Sequence, residues 1–187
     1  ERPSVRVTNP DLQLNIHVAQ EHCTLSLDSS GESLHLRGYK EEQTEAPLNE
    51  VMAAGLLKLA GWSGQSDFMD PMCGSGTIAI EAVMMALNIA PGVYRKGFAF
   101  EKWADFDEEL LQNLYNDDSN EREFRFKAYA SDISSQALRI AERNVKSAGL
   151  SKYITLSHKP FQSVERPQED TFILFNPPYG ERLRMNS

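Results

Sequence analysis

The stretch Asp70-Pro71-Met72-Cys73-Gly74-Ser75-Gly76-Thr77 decides the fold of this chain. It follows the short run DFMD (67–70) and leads into a helix expected over Thr77–Leu87. A strand, a glycine-bearing turn and a helix in that order open a βαβ unit. Gly74 and Gly76 reach dihedrals closed to other residues and let backbone approach a ligand closely. The N-terminus of the helix offers unpaired N–H groups to a carboxylate or phosphate. Asp70, at the strand end, can accept hydrogen bonds from an ammonium. That combination suits the amino-acid end of S-adenosylmethionine. Gly74, Gly76 and Ala79 also satisfy the G-x-G-x-x-A variant of the dinucleotide fingerprint, so the turn alone leaves a nicotinamide cofactor open.

Outward from the turn, apolar runs and helical periods alternate. Phe126–Ala130, Tyr153–Leu156 and Thr171–Phe175 read as buried strands, and Ser134–Ser147 as a helix stopped by Gly149. Asp105–Tyr115 reads as a helix within a long connection. Upstream, Thr44 is the expected N-cap of a helix with Pro47 in its first turn. Its expected apolar face is Leu48, Val51, Met52, Leu56 and Leu59, and Gly61 ends it. This order predicts an α/β domain, Rossmann-like, with a mostly parallel doubly wound sheet. Too few residues follow Phe175 for further strands, so the sheet is expected to be incomplete at the C-terminus. Residues 5–7, 12–18 and 23–28 alternate with period two and read as β structure of a different kind.

Of the 187 residues, 41% are hydrophobic and 25% charged, as in a globular protein with a core. No apolar run is long enough for a membrane span, and no export signal is visible, which points to the cytoplasm. Cys23 and Cys73 lie far apart in different contexts, so neither a disulfide framework nor a metal site is expected. A net charge of −8 argues against a surface that grips nucleic-acid phosphates unaided. The basic clusters Arg37-Gly38-Tyr39-Lys40, Arg95-Lys96 and Arg182 with Arg184 each read as solvated surface.

Two further motifs carry chemistry. Ser131-Asp132-Ile133 follows the second strand, where a carboxylate can accept bonds from both hydroxyls of a ribose. A helix cap is the competing reading. Its distance along the chain from the glycine turn is long for a dinucleotide fold, where the acidic residue lies about 20 residues on. Asn176-Pro177-Pro178-Tyr179, after the strand TFILF, settles the choice between cofactors. An aromatic amine is a poor nucleophile because its lone pair is delocalised. If Asn176 Oδ1 and the Pro177 carbonyl accept both amine hydrogens, the nitrogen is drawn toward tetrahedral geometry and its lone pair is freed. Pro177 and Pro178 stiffen this pair of acceptors. Tyr179 offers a ring on which an unstacked base can lie.

With these residues in place, the chain resembles the bacterial 23S rRNA guanine-N2 methyltransferases, which join an RNA-binding THUMP module to a Rossmann-like methyltransferase domain. The resemblance rests on LDSSGESLHLRGYK (27–40), EAPLNE (45–50), DPMCGSGTIAIEA (70–82), FAFEKW (98–103), YASD (129–132) and NPPYGERL (176–183). It implies that residues 1–40 are the end of the THUMP module with its connector. Residues 41–187 would then be the N-terminal part of the methyltransferase domain. Pro47 and Leu48 would line the methionine end of the cofactor, and the loop Asp70–Thr77 would wrap it. Asp132 and Ile133 would hold the nucleoside, and Asn176–Tyr179 would receive a guanine flipped out of folded 23S ribosomal RNA. One departure stands out. Where similar enzymes carry an Asp that contacts the adenine amine, this chain reads His158-Lys159-Pro160-Phe161-Gln162. Gln162 or a backbone carbonyl is expected to substitute, with Phe161 packed on the adenine. The Asn-Pro-Pro-Tyr device also serves adenine-N6 DNA and glutamine-N5 protein methyltransferases. A nicotinamide-dependent oxidoreductase or a non-catalytic fragment are the readings from other classes.

Overall fold

The computed structural model describes residue 5, residues 10–42 and residues 47–178. The expected N-cap Thr44, the acceptor-site Tyr179, the basic pair Arg182 and Arg184, and most of the 5–7 run lie outside them.

A hairpin comes first. Strand β1 (Leu14–Ala19) pairs antiparallel with β2 (His22–Leu27), in a register that sets Leu14 opposite Leu27, Ile16 opposite Leu25 and Val18 opposite Cys23. Because side chains alternate along a strand, these six share one face, and all six are exposed.

The second sheet is parallel. It comprises β3 (Phe68–Asp70), β4 (Ala128–Asp132), β5 (Ile154–His158) and β6 (Phe172–Ile173), in the order β5-β4-β3-β6. Helix α1 (Glu50–Leu59) precedes β3, α2 (Thr77–Leu87) joins β3 to β4, and α4 (Ser135–Ser147) joins β4 to β5. Right-handed crossovers stepping in the same direction put α2 and α4 on one face of the sheet. The side chains that point there, Phe68, Ala128, Ala130 and Ile154, are buried. The chain then returns past β3 to lay down β6. This reversal beside β3 is the topological switch, and ligands of such sheets bind at the carboxyl ends of the strands there.

Helix α2 is buried almost all round, with Ile78, Ile80, Val83 and Met84 in the core. A helix apolar on every side must be covered on every side, and α1, the sheet and Tyr39 of the connector share that task. Trp62 is central to the packing. Its Nε1 donates to the Ala82 carbonyl at 2.8 Å, and its ring lies 4.9 Å from Phe68 and 5.1 Å from Phe172, centroid to centroid. These contacts pin β6 against β3 and α2.

Helix α1 departs from its expectation. Its N-cap is Asn49, whose side chain accepts from Met52 N at 3.1 Å, and not Thr44. Its buried stripe is Glu50, Ala53 and Leu57, whereas Val51, Met52, Leu56 and Leu59 are exposed. Two stripes at helical spacing coexist in this segment. Glu50, whose buried partner is described below, lies on the stripe that is buried. Helix α3 (Glu108–Asn116), capped by Asp107, starts three residues later than expected and has no buried residue.

Candidate cofactor and acceptor site

The glycine turn sits between the ends of β3 and β4. Gly74 and Gly76 have φ of 54° and 84°, both in the left-handed region that glycine tolerates. A Cβ at Gly76 would lie 3.3 Å from the Cβ of Ala141 on α4, a tight approach of helix and turn. A Cβ at Gly74 would meet nothing within 4 Å, so this part of the turn faces open space. Gly76 caps α2 without any side chain, which leaves the first N–H groups of the helix available to a ligand.

Two bonds staple the turn to β4. Cys73 N donates to the Ser131 carbonyl at 2.9 Å, and Gly74 N donates to Asp132 Oδ2 at 2.9 Å. The other oxygen of Asp132 accepts from Ser134 N at 2.8 Å. The cap of α4 is Ser134 itself, whose Oγ accepts from Ala137 N, so Asp132 is not the cap. A carboxylate has about four acceptor positions, and two remain for a ribose.

Asp70 ends β3 and is fully buried. Its Oδ1 accepts from Met72 N at 3.4 Å, and its Oδ2 has no partner. Desolvation, with a smaller contribution from the nearby Asp132 charge, pushes the Asp70 carboxyl up to about 8. An orphaned buried carboxylate oxygen beside a glycine turn is what a cation-bearing ligand requires. The donor set therefore fits the amino-acid end of S-adenosylmethionine. Cys73 is also buried, and burial pushes its thiol far above the ordinary range, so it is a packing residue and not a nucleophile. Ser75 and Thr77 are buried with their hydroxyls 3.3 Å apart. Met72 is partly buried.

The segment Asn176-Pro177-Pro178 leaves the sheet after a strand paired with β3. Phe172 N donates to the Asp67 carbonyl at 2.8 Å and Leu174 N to the Met69 carbonyl at 3.1 Å, so the chain runs beside β3 as far as Asp70. Asn176, Pro177 and Pro178 follow at once and are exposed. Phe161 and Gln162 lie in a short 3-10 turn (Phe161–Ser163) and are exposed as well. The Phe161 ring packs 5.5 Å from that of Phe175, which joins the segment after β5 to the residue preceding Asn176. Ile133 is exposed at the end of β4, its carbonyl 2.7 Å from His158 Nε2. Pro47 is exposed, and Leu48 packs against the core.

Several residues that the sequence reads as surface hold residues 30–40 against the rest of the domain. Arg37 and Lys40 are not solvated. Arg37 Nε lies 3.4 Å from Glu81 Oε1, and Tyr39 OH donates to the same oxygen at 3.0 Å. Lys40 Nζ lies 3.3 Å from Glu50 Oε1 and donates to the Leu48 carbonyl at 2.9 Å. The side chains of Lys40 and Glu50 are 6% and 3% exposed, so each charge depends on the other for compensation. Arg95 donates to the carbonyls of Ser30, Glu32, Ser33 and Leu36, fastening the connector to the loop after α2. One signal was available: Glu81 stands alone in the otherwise uncharged run TIAIEAVMMAL, and a buried acid requires a cation.

A parallel α/β sheet, a glycine turn at its first strand, acids at the ends of two strands and Asn-Pro-Pro beside them define a Rossmann-like methyltransferase domain. Residues 37–187 match the family model of the RMKL-like methyltransferase domain, and residues 1–28 match that of the THUMP domain. The chain belongs to the RMKL-like methyltransferase family. A Psychromonas ingrahamii protein named ribosomal RNA large subunit methyltransferase K/L is 44% identical over 98% of this chain, which spans 25% of that protein. Among solved structures, SMU.472, assigned as a methyltransferase and complexed with SAH, superposes with a TM-score of 0.83 at 34% identity. The match covers 92% of this chain and 45% of that one. A Listeria monocytogenes protein described as a predicted N6-adenine-specific DNA methylase superposes with a TM-score of 0.84, also at 34% identity. That match covers 92% of this chain and 46% of the other.

Proposed function

We propose that this chain binds S-adenosylmethionine and takes part in methylating the exocyclic N2 amine of a guanosine in large-subunit (23S) ribosomal RNA. The observation that supports the reading is the parallel pairing of β6 with β3, so that Asn176-Pro177-Pro178 follow a strand next to the one that ends at the orphaned Asp70. In this reading Asp70 receives the cofactor's ammonium, the α2 N-terminus its carboxylate and Asp132 its ribose. Ile133, Phe161 and Gln162 flank the adenine, and Pro47 with Leu48 closes the methionine end. S-adenosylmethionine supplies a methyl group on a sulfonium, which needs no further activation. The protein's work is then positioning and electrostatics. Asn176 Oδ1 and the Pro177 carbonyl accept the amine hydrogens, and Tyr179 supports the ring. The acidic balance of this chain assigns most of the RNA affinity to a THUMP module, of which residues 1–28 are the matched part.

The test is product identity. The polypeptide carrying this chain is incubated with undermethylated large-subunit RNA and labelled S-adenosylmethionine, and the RNA is digested to nucleosides. N2-methylguanosine is expected. N6-methyladenosine as the only product overturns the guanine assignment, and binding of NAD in place of S-adenosylmethionine overturns the class.

A further inference from the structure

Asn144 is the tenth of the thirteen residues of α4, a position inside the helix where asparagine is a poor helix former and gains nothing from its side chain unless that side chain finds partners. It is fully buried. Its Oδ1 accepts from Glu41 N at 3.0 Å, and its Nδ2 donates to the Glu42 carbonyl at 3.3 Å and to the Ser75 carbonyl at 3.0 Å. All three contacts are to backbone, and they belong to two segments remote in sequence, Glu41-Glu42 and the glycine turn. Ala141, three residues earlier on the same face of α4, is the residue whose Cβ closely approaches Gly76. Helix α4 therefore braces the turn at two successive points, sterically at Gly76 and by a hydrogen bond at Ser75.

The geometry points to Asn144 as a positioning residue for the cofactor: it fixes the Ser75 peptide between the two left-handed glycines and ties that peptide to the backbone of Glu41 and Glu42. The inference rests on the reading that the turn binds S-adenosylmethionine. Nothing in it requires Asn144 to touch the ligand. Ser75 is flanked by Gly74 and Gly76, the two residues of the turn with the widest conformational range, so its peptide needs an external restraint. A buried amide with every partner satisfied supplies one, and removing it strands a carbonyl at the turn. A structural role alone would make Asn144 no different from its buried neighbour Val145.

The experiment compares Asn144→Ala, Asn144→Asp and Val145→Ala in this chain by calorimetric binding of S-adenosylhomocysteine and by thermal unfolding. Both Asn144 variants are expected to bind roughly tenfold more weakly or worse, the loss of one buried hydrogen bond. Asn144→Asp keeps the size but sets an oxygen against the Ser75 and Glu42 carbonyls. Val145→Ala is expected to lower the unfolding temperature through a cavity while leaving the affinity unchanged. Affinity equal to wild type in Asn144→Ala overturns the inference. Equal affinity losses in Asn144→Ala and Val145→Ala at equal loss of stability overturn it too. A wild-type chain that binds no S-adenosylhomocysteine overturns the cofactor reading itself, and this inference with it.

Discussion

Asp132 Oδ2 accepts a hydrogen bond from Gly74 N at 2.9 Å, so the carboxylate at the end of β4 helps to shape the glycine turn. One residue thereby couples the ends of β3 and β4. Its second oxygen, on Ser134 N, fixes the rotamer that makes this possible.

Replacement of Asp132 separates these duties. In Asp132→Asn the amide retains one acceptor oxygen for the two N–H groups, and the charge offered to a ribose is gone. Cofactor affinity is expected to fall by about 10–100-fold, as for loss of a charge-assisted hydrogen bond of ~1.5–3 kcal/mol. Calorimetric titration of S-adenosylhomocysteine measures it, and an unchanged Kd would remove Asp132 from the site.

Asp70 carries a pH prediction. Burial raises its folded-state pKa from an ordinary 3.8 to about 8, so the folded protein binds this proton more tightly than the unfolded chain does. The stability linked to it is full below about pH 4 and declines as pH rises toward 8. Asp70→Asn is therefore expected to unfold at a higher temperature than wild type at pH 8 while losing cofactor affinity. A bound ammonium reverses the electrostatics, ionising Asp70 and releasing its proton near neutral pH. The binding heat of wild type should then depend on the ionisation enthalpy of the buffer, and that of Asp70→Asn should depend on it far less.

In the proposed reading Asn176 acts on the acceptor and not on the cofactor. Asn176→Ala is expected to lower kcat by roughly 10²–10³-fold, the scale of losing one preorganised polar group at a reacting atom. The KM for S-adenosylmethionine should change little, and so should the unfolding temperature, because the residue is exposed. Single-turnover transfer with saturating RNA reads the effect. A variant as fast as wild type eliminates the amine clamp.

Gly38 tests the connector. Its φ is 101°, and a Cβ there would lie 2.1 Å from the Tyr94 carbonyl oxygen, which is backbone and cannot swing away. Gly38→Ala is expected to cost at least ~2 kcal/mol. The check is chemical denaturation, in which a midpoint equal to wild type would show that the connector does not sit on the Tyr94–Arg95 backbone.

What the sequence determined by itself was the part governed by local rules. Strand, turn and helix around Gly74 and Gly76 follow from the freedom of glycine and from a change of period. The ends of β4 and α4 follow from Asp132 and a Ser134 cap. The strand before Asn176 follows from an apolar run closed by two prolines. Tertiary structure decided which charges are buried and with whom. Arg37, Lys40 and Arg95 look like surface in a one-dimensional string because their partners Glu81, Glu50 and the connector carbonyls lie elsewhere along it. The buried face of α1 was hidden for the same reason, since Glu50 meets Lys40 only in the folded chain while Val51, Met52, Leu56 and Leu59 are exposed. Asn144 is the extreme case. Its three bonds join backbone segments 69 and 102–103 residues away along the chain, and no periodicity or motif encodes an encounter made only when the sheet closes against α4.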